Sequence, residues 1–394
     1  AGSEGTLGGG TQATLKLTPI PGHRRLVVLK YGRFADALAS AVQLAEMAPG
    51  AIETIDERVL DLAKQNPIYD AVAPYLTASA PHVTRAINLV EFESDEPDGV
   101  ARQVERLLSW TSTQSGSPGA PFDACVAPHA DAAAALWELR KRGVGLLGSL
   151  PGKRKPVPFV EDTVVPPEHL PDYVRAFRAI LDEEGLVYGM FGHVDVGCLH
   201  VRPALDLMDP ADEARLHRIS EKVVDLVQTF GGQVWGEHGK GFRSEYSPVF
   251  MGHTLYDVCC EVKAAFDPHN QLNPGKVAVS PHESTSLARI TAPKRGTKDA
   301  RVPEKHRATY QGAFDCNGNG ACFDVRAEQV MCPTAKATRD RIHSPKGRAA
   351  VLREWLRQLA RAGADFAQQP RWWQRPWLGI RRLFHTLAAR LGAR

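Results

Sequence analysis

Strands and helices alternate along most of this chain, and the strands mix polar with apolar positions. RRLVVLKYG (24–32) reads as a strand, FADALASAVQLAEM (34–47) as helical, and AIETIDERVLDLAKQ (51–65) as an extended stretch entering a helix. TRAINLVEFES (84–94) is again strand-like, followed by the amphipathic ARQVERLLSW (101–110). HADAAAALWELRKRG (129–143) and LPDYVRAFRAILDEEG (170–185) have helical period, PVPFVEDTVVP (156–166) is extended between prolines, and LVYGMFGHVDVGCLHVRPAL (186–205) reads as strand, turn, strand. ADEARLHRISEKVVDLVQTFGG (211–232) is one long helix with a glycine stop. Residues 11–21 alternate as a half-buried strand should. This order predicts an α+β fold, an antiparallel sheet with helices on one face. No Gly-x-Gly-x-x-Gly follows a strand and no Walker loop is present, so neither of those phosphate-binding motifs is available.

With 394 residues, 43% of them hydrophobic, the chain has enough apolar surface for two or three domains. No apolar run approaches the ~20 residues of a membrane-spanning helix, and the expected location is the cytoplasm. Charge is uneven. From residue 339 onward 13 Arg/Lys stand against 3 Asp/Glu, so the net +3 conceals a body at −7 and a basic tail. An acidic body is a poor nucleic-acid surface, and no nucleic-acid partner is expected. The tail, with Trp372, Trp373, Trp377 and Phe384 among arginines, suits peripheral contact with the inner face of a membrane or docking on another part of the protein.

Histidines and carboxylates gather in two glycine-rich phrases, FGHVDVGCLH and WGEHGKG, which hold His193, Asp195, His200, Glu237 and His238. Two histidines and a carboxylate make an open site for a divalent metal (Zn, Mn or Fe). A straight strand would put His193 and His200 on opposite faces, so shared ligation requires a turn at residues 195–197. Ordinary turn histidines are the alternative. Arg140, beside Lys141 and Arg142, is either an anion clamp or a solvated helix end; Lys240 and Arg243 have the same two readings.

Three of the seven cysteines, Cys316, Cys322 and Cys332, form CNGNGAC followed by CP. Thiolates among glycines suit an iron–sulfur cluster, but position 319, where a ferredoxin run has its next cysteine, is Asn319. Zinc held with His343, or no ligand at all, remain open. The other four cysteines read as small buried hydrophobes.

The phrases GSEGTLG (2–8), GHVDVGCLH (192–200), GEHGKGFRSEY (236–246) and FDPHNQLNPGK (266–276) resemble the C-terminal half of FAD-linked oxidases of the vanillyl-alcohol-oxidase type. WELRKRGVGLLG (137–148), FVEDTVVPPEHL (159–170) and MCPTAKATRDRIHSPKGRA (331–349) are similar to large bacterial flavin and iron–sulfur D-2-hydroxyglutarate or D-lactate dehydrogenases. The resemblance implies a ferredoxin-like cap domain at 22–276, preceded at 1–21 by the end of an upstream FAD-binding domain. A connector at 277–312, a ferredoxin-like cysteine segment at 313–362 and the tail at 363–394 would follow. It implies that His193, His200 and Glu237 hold the metal and that His238 is the general base. Arg140 would pair with a carboxylate of a small 2-hydroxy acid, and Glu4, Gly5 and Asn273 would lie by FAD. Cys316, Cys322 and Cys332 would serve a 4Fe-4S cluster that passes electrons to a quinone or an electron-transfer protein. A lysine common in such relatives is Val160 here, leaving Arg154 or Lys155 to reach a distal carboxylate. From the residue pattern alone, a non-catalytic metal-binding or assembly module fits as well, as does a metal-dependent hydrolase.

Overall fold

Six consecutive residues of the first strand, Leu26 to Tyr31, are buried, and all but Lys30 send their side chains into one of two different cores. In the computed structural model residues 2–148, 152–318, 320–326 and 331–364 are described; they divide into two compact units at Pro293 and Lys294. The first unit runs β1 (His23–Tyr31), α1 (Phe34–Ala39), α2 (Ala41–Ala45), β2 (Ala51–Ile55), α3 (Glu57–Ala63), α4 (Ile68–Leu76), β3 (Ala86–Ser94), α5 (Pro97–Gln114) and β4 (Asp123–Val126). It continues through α6 (Ala130–Gly148), β5 (Lys155–Pro156), β6 (Thr163–Val164), α7 (Leu170–Glu183), β7 (Tyr188–His193), β8 (Cys198–Leu205), α8 (Pro210–Thr229) and α9 (Ser247–Phe266). The strands form one antiparallel sheet in the order β4-β1-β3-β2-β7-β8-β5, with β6 also pairing β8.

Helices cover both faces of this sheet, not one. Val27, Leu29 and Tyr31 pack with Val90 and Phe92 of β3 and with side chains of α1, α5, α7 and α8. Leu26 and Val28 pack with Ile87 and Leu89 of β3 against Val59 of α3, Val72 of α4, and Leu136 and Leu139 of α6. The signal lay in LVVL: a strand wetted on one face must alternate, whereas one covered on both can be continuously apolar. At ~1.5–3 kcal/mol for each large apolar side chain fully buried, both layers are major contributors to stability.

Residues 11–21 form no strand. Leu15, Leu17 and Ile20 are 78%, 85% and 88% exposed, because no described strand lies beside them to accept a ladder. The 156–166 stretch pairs only at its two ends, since proline cannot donate to a ladder. The segment 277–312 is not a uniform connector. Val277, Ala278 and Ile290 are buried, the first unit runs to Pro293, and α10 (Arg295–Asp299), α11 (Glu304–Thr309) and α12 (Gln311–Phe314) follow.

The second unit adds α13 (Pro333–Thr338) and α14 (Pro345–Arg361) around a small core of Val302, Phe314 and Leu356. Ser344 caps α14 by accepting from the Gly347 amide at 3.1 Å. Arg357 pairs with Asp299, and Arg353 donates to the Ala313 carbonyl. The tail from residue 365, Asn319 and residues 149–151 and 327–330 lie outside the described residues. Among those described, no helix is long and apolar enough to cross a membrane.

One buried polar cluster pins the sheet to α1. The Asn88 amide donates to the Ala37 carbonyl (2.9 Å) and toward the Tyr31 and Ser40 hydroxyls (3.3 Å each), while Thr54 donates to the Asn88 carbonyl oxygen. Replacing Asn88 with leucine strands these partners in an apolar core, where each unsatisfied group costs ~1–3 kcal/mol. Asn88→Leu should lower the urea midpoint of the first unit by the equivalent of roughly 2–4 kcal/mol; a midpoint unchanged from wild type would show that the cluster adds nothing.

Candidate metal and substrate site

The hairpin of β7 and β8 supplies the turn that the histidine spacing demands. Residues 194–196 form a single 3-10 turn and Gly197 closes it at φ +72°. A Cβ there would collide with the Val165 carbonyl, so the position is restricted twice over. The resulting register sets Phe191 opposite His200 and His193 opposite Cys198, which places both histidines on the α6 side of the sheet with their rings 5.5 Å apart. Glu53 of β2, paired with His193 across the next ladder, shares that face.

Glu237 and His238 arrive on a loop held by Asp162. This carboxylate is fully buried, with backbone at φ +69°. Its two oxygens accept from the Glu237 amide (2.9 Å) and the His238 amide (3.0 Å), and its carbonyl accepts from the Gly236 amide at 2.7 Å. Gly236 is needed because a Cβ would come within 2.7 Å of the Cys198 sulfur. Arg243 fastens the loop from beneath, donating to the carbonyls of Glu161 and Val234; it is a brace and not a solvated cation. Lys240 lies 3.7 Å over the Trp235 ring.

Three imidazoles thereby converge on one oxygen. Glu237 Oε1 lies 3.0 Å from His200 Nε2, 3.3 Å from His193 Nε2 and 3.5 Å from His238 Nε2. Asp162, His200, Glu237 and His238 also each offer an atom within 4.8 Å of the others. Both Asp162 oxygens accept backbone amides, so Asp162 anchors the loop, and His193 approaches the same Glu237 oxygen without belonging to that convergent group of four.

Charge around the donors is compensated by buried partners. His193 Nδ1 contacts Glu53 at 2.9 Å, and the other Glu53 oxygen accepts from Arg140 Nε at 2.8 Å. The Glu53 contact raises the His193 pKa. Burial would raise the Glu53 carboxyl, but His193 and Arg140 outweigh it and hold it below the usual range. At His200, burial first and then the Arg140 charge push the imidazolium down to about 4, so the ring is neutral near pH 7. Neutral imidazole and ionised carboxylate are a donor set for a divalent first-row metal, and a carboxylate behind a ligating histidine fixes its tautomer. The buried Nδ1 of His200 has no hydrogen-bond partner among the described residues.

Arg140 is neither a solvated helix end nor an empty clamp: it is tied to Glu53 and lies 4.6 Å over the Phe191 ring. Glu4 reaches the same loop, with both oxygens 3.4 Å from the Gly241 amide. Gly5 has no room for a side chain against Leu272, and its carbonyl accepts from the buried Lys263 at 3.0 Å. Lys263 also binds the Leu272 carbonyl and Asp267, so it clasps residues 2–8 to the 266–276 phrase. Asn273 is exposed at a left-handed turn there.

Arg154 does not reach the cluster, being engaged through Nε (2.8 Å) and Nη2 (2.9 Å) with the buried Asp212 of α8. Lys155 pairs in register with Leu205, five residues and ~17 Å along β8 from His200. Val160 is buried in the opposite core.

Cys316, Cys322 and Cys332 in the second unit are free thiols. Among the described residues they form no group of convergent ligands, and no set of four cysteines is present there. Their sulfurs serve local contacts instead. Cys322 accepts from the Lys346 amide at 3.3 Å, and Cys332 accepts from Arg348 at 3.1 Å and donates to the His343 carbonyl.

Spacing pointed to the ligands but missed Asp162, Glu53 and Arg202, the last on the His200 face of β8 with its guanidinium 2.6 Å from Glu161. Only Asp162 had a readable signal, an acidic pair interrupting an apolar stretch in FVEDTVV.

Residues 20–277 match the family model described as FAD linked oxidases, C-terminal domain. The chain is 47% identical over 369 residues to D-2-hydroxyglutarate dehydrogenase of Pantoea ananatis, covering 92% of this chain and 36% of that protein. The Escherichia coli protein of the same name is 46% identical with the same coverage, so the chain spans about a third of these relatives' length. A D-lactate dehydrogenase of Archaeoglobus fulgidus is 28% identical over 282 residues, covering 70% of this chain and 56% of that one. Among solved structures, p-cresol methylhydroxylase with substrate bound superposes with TM-score 0.51 at 13% identity, over 68% of this chain and 55% of that one. That likeness bears on the fold alone.

Asp162→Ala should free the 236–238 loop. Two amides lose a charged acceptor, a loss of ~2–4 kcal/mol by unfolding, and divalent-ion affinity measured by calorimetry should fall 10- to 100-fold or so. An affinity equal to wild type would remove Asp162 from its anchoring role.

Proposed function

The chain belongs to the family of FAD-linked oxidase C-terminal domains, and from that premise we propose that it is the substrate-binding part of a flavin-dependent dehydrogenase of D-2-hydroxy acids, with D-2-hydroxyglutarate favoured over D-lactate. The observation that carries this reading is the convergence of His193, His200 and His238 on Glu237. The names of the 46–47% identical relatives support the choice of substrate.

His193, His200 and Glu237 would hold a divalent metal that lowers the pKa of the substrate hydroxyl when bound, and FAD on an upstream domain would accept the hydride. The chain's own residues do the remainder. Glu53 keeps a proton on His193 Nδ1, which leaves Nε2 as a donor atom. His238, half exposed beside the ligands, takes the hydroxyl proton at Nε2 as general base. Arg140, fixed at Nε by Glu53, pairs with a substrate carboxylate. Glu4, Gly5 and Asn273 would adjoin the flavin, and Lys263 holds Gly5 in place through its carbonyl. Electrons would leave for a quinone or an electron-transfer protein by way of an iron–sulfur cluster, for which Cys316, Cys322 and Cys332 would supply three of the ligands. Function in the cytoplasm, with the tail at the inner face of a membrane, completes the proposal.

The test joins this chain to its FAD-binding domain and follows flavin bleaching with D-2-hydroxyglutarate, D-lactate, glycolate and D-malate. Bleaching should be fastest with D-2-hydroxyglutarate and should disappear on chelation and return with added metal. Glu237→Gln should slow it by ~10²-fold or more. If none of the four acids reduces the flavin, the assignment is wrong.

A further inference from the structure

The outward side of α14 in the second unit carries an apolar stripe. Val351 and Trp355, one helical turn apart, are 53% and 49% exposed, and Ile342 in the turn before the helix is 50% exposed. With Arg348 and Leu352 they line an open groove of about 370 Å³. Large apolar side chains gathered around one groove and rimmed by charge mark an interaction surface. The groove also borders the thiols: Arg348 Nη2 lies 3.1 Å from the Cys332 sulfur, and the amide of Lys346, in the first turn of the same helix, lies 3.3 Å from the Cys322 sulfur. Charge decides what fits there. Residues 294–364 carry 15 Lys/Arg against 7 Asp/Glu, whereas residues 1–293 carry 27 against 37. Arg341, which stacks on Phe323 at 5.1 Å, has no carboxylate partner among the described residues, and neither has Arg339 or Arg348. Exposed cations of one sign speed the encounter with an anionic surface. The chain's own last residues, 365–394, are no match, with six Arg against one Asp, and a neutral quinone gains nothing from such a field.

We propose that this groove docks an acidic electron-transfer protein, which seats an apolar side chain between Val351 and Trp355 and sets carboxylates against Arg341 and Arg348. The proposal rests on the function proposed above and deepens it by choosing a protein over a quinone as acceptor. Each 2-hydroxy acid oxidised to its 2-oxo acid yields two electrons and two protons; the electrons reduce the partner's redox centre and the protons pass to water. A partner seated beside Cys322 and Cys332 receives those electrons next to the cluster that these thiols would help to hold.

The experiment uses the flavin- and cluster-loaded protein joined to its FAD-binding domain, with D-2-hydroxyglutarate as donor. The probe is cytochrome c in two forms: native, which is basic, and succinylated, which is acidic and keeps the same haem. The acidic form should be reduced at least ~10-fold faster at low salt, and that advantage should be largely lost at ~0.2 M salt. Val351→Glu with Arg341→Glu should raise KM for the acidic form ~10-fold or more, with flavin bleaching and reduction of a soluble quinone analogue within ~2-fold of wild type. Val351→Ser with Arg341→Gln, a milder pair, should fall between. Equal reduction of the two forms, or an unchanged KM in the charge-reversed variant, overturns the docking surface, while bleaching by the acid leaves the proposed reaction standing. Three other occupants would also overturn it. The chain's tail is the occupant if deleting residues 365–394 speeds reduction of both forms alike, a second copy if wild type sediments as a dimer that Val351→Glu splits, and a quinone if the analogue loses as much as the acidic cytochrome. Should the charge-reversed variant not fold, the milder pair and the wild-type salt dependence decide. If no 2-hydroxy acid bleaches the flavin, the reaction falls, and calorimetric binding of the acidic over the basic form judges the surface by itself.

Discussion

A fully buried carboxylate that accepts two successive backbone amides organises the site. Asp162 has a left-handed backbone and no exposure, and its two oxygens receive the amides of Glu237 and His238. Charge-assisted bonds of this kind are roughly twice as strong as neutral ones, and they fix the direction of a loop rich in glycine. Glu237 can present one oxygen to three imidazoles because its amide is fixed from behind. Gly236 and Gly197 permit the close approaches, and Arg243 ties the same loop to the backbone of Glu161 and Val234.

The second constraint is charge neutralisation inside the sheet. Arg140 with Glu53 and Arg202 with Glu161 are largely buried pairs on one face, one on each side of His200. A single buried charge would be costly, whereas each glutamate fixes the position of its arginine. The same glutamate that restrains Arg140 also contacts His193, so the histidine cluster and Arg140 are coupled through Glu53. Both sheet faces are covered by helices, and that cover is what keeps these charges away from bulk water.

Much of the secondary structure was legible because it depends on local pattern. The turn at 195–197 and the long helix ending at Gly231 and Gly232 both carry chemistry that acts over a few residues. Where the reading failed, the deciding partner was distant. Residues 11–21 have strand alternation but no neighbouring ladder, and the second helical layer came from packing that LVVL hinted at without specifying. The two readings of Arg140, anion clamp or solvated helix end, stayed open in the sequence because Glu53, which holds it, is 87 residues away.

Sequence by itself determined the inventory: two histidines separated by a glycine turn, an adjacent Glu-His on a glycine loop, three cysteines where four thiolates are needed, and a family-like set of phrases. Only the tertiary structure decided which of these meet. It brought Glu237 to His193 and His200, and supplied Asp162 and Glu53 as their supports. The reason is physical: turns and caps are governed by torsions and hydrogen bonds between near neighbours, whereas a ligand set or an ion pair depends on side chains whose separation is fixed by sheet register and by the packing of helices on both of its faces.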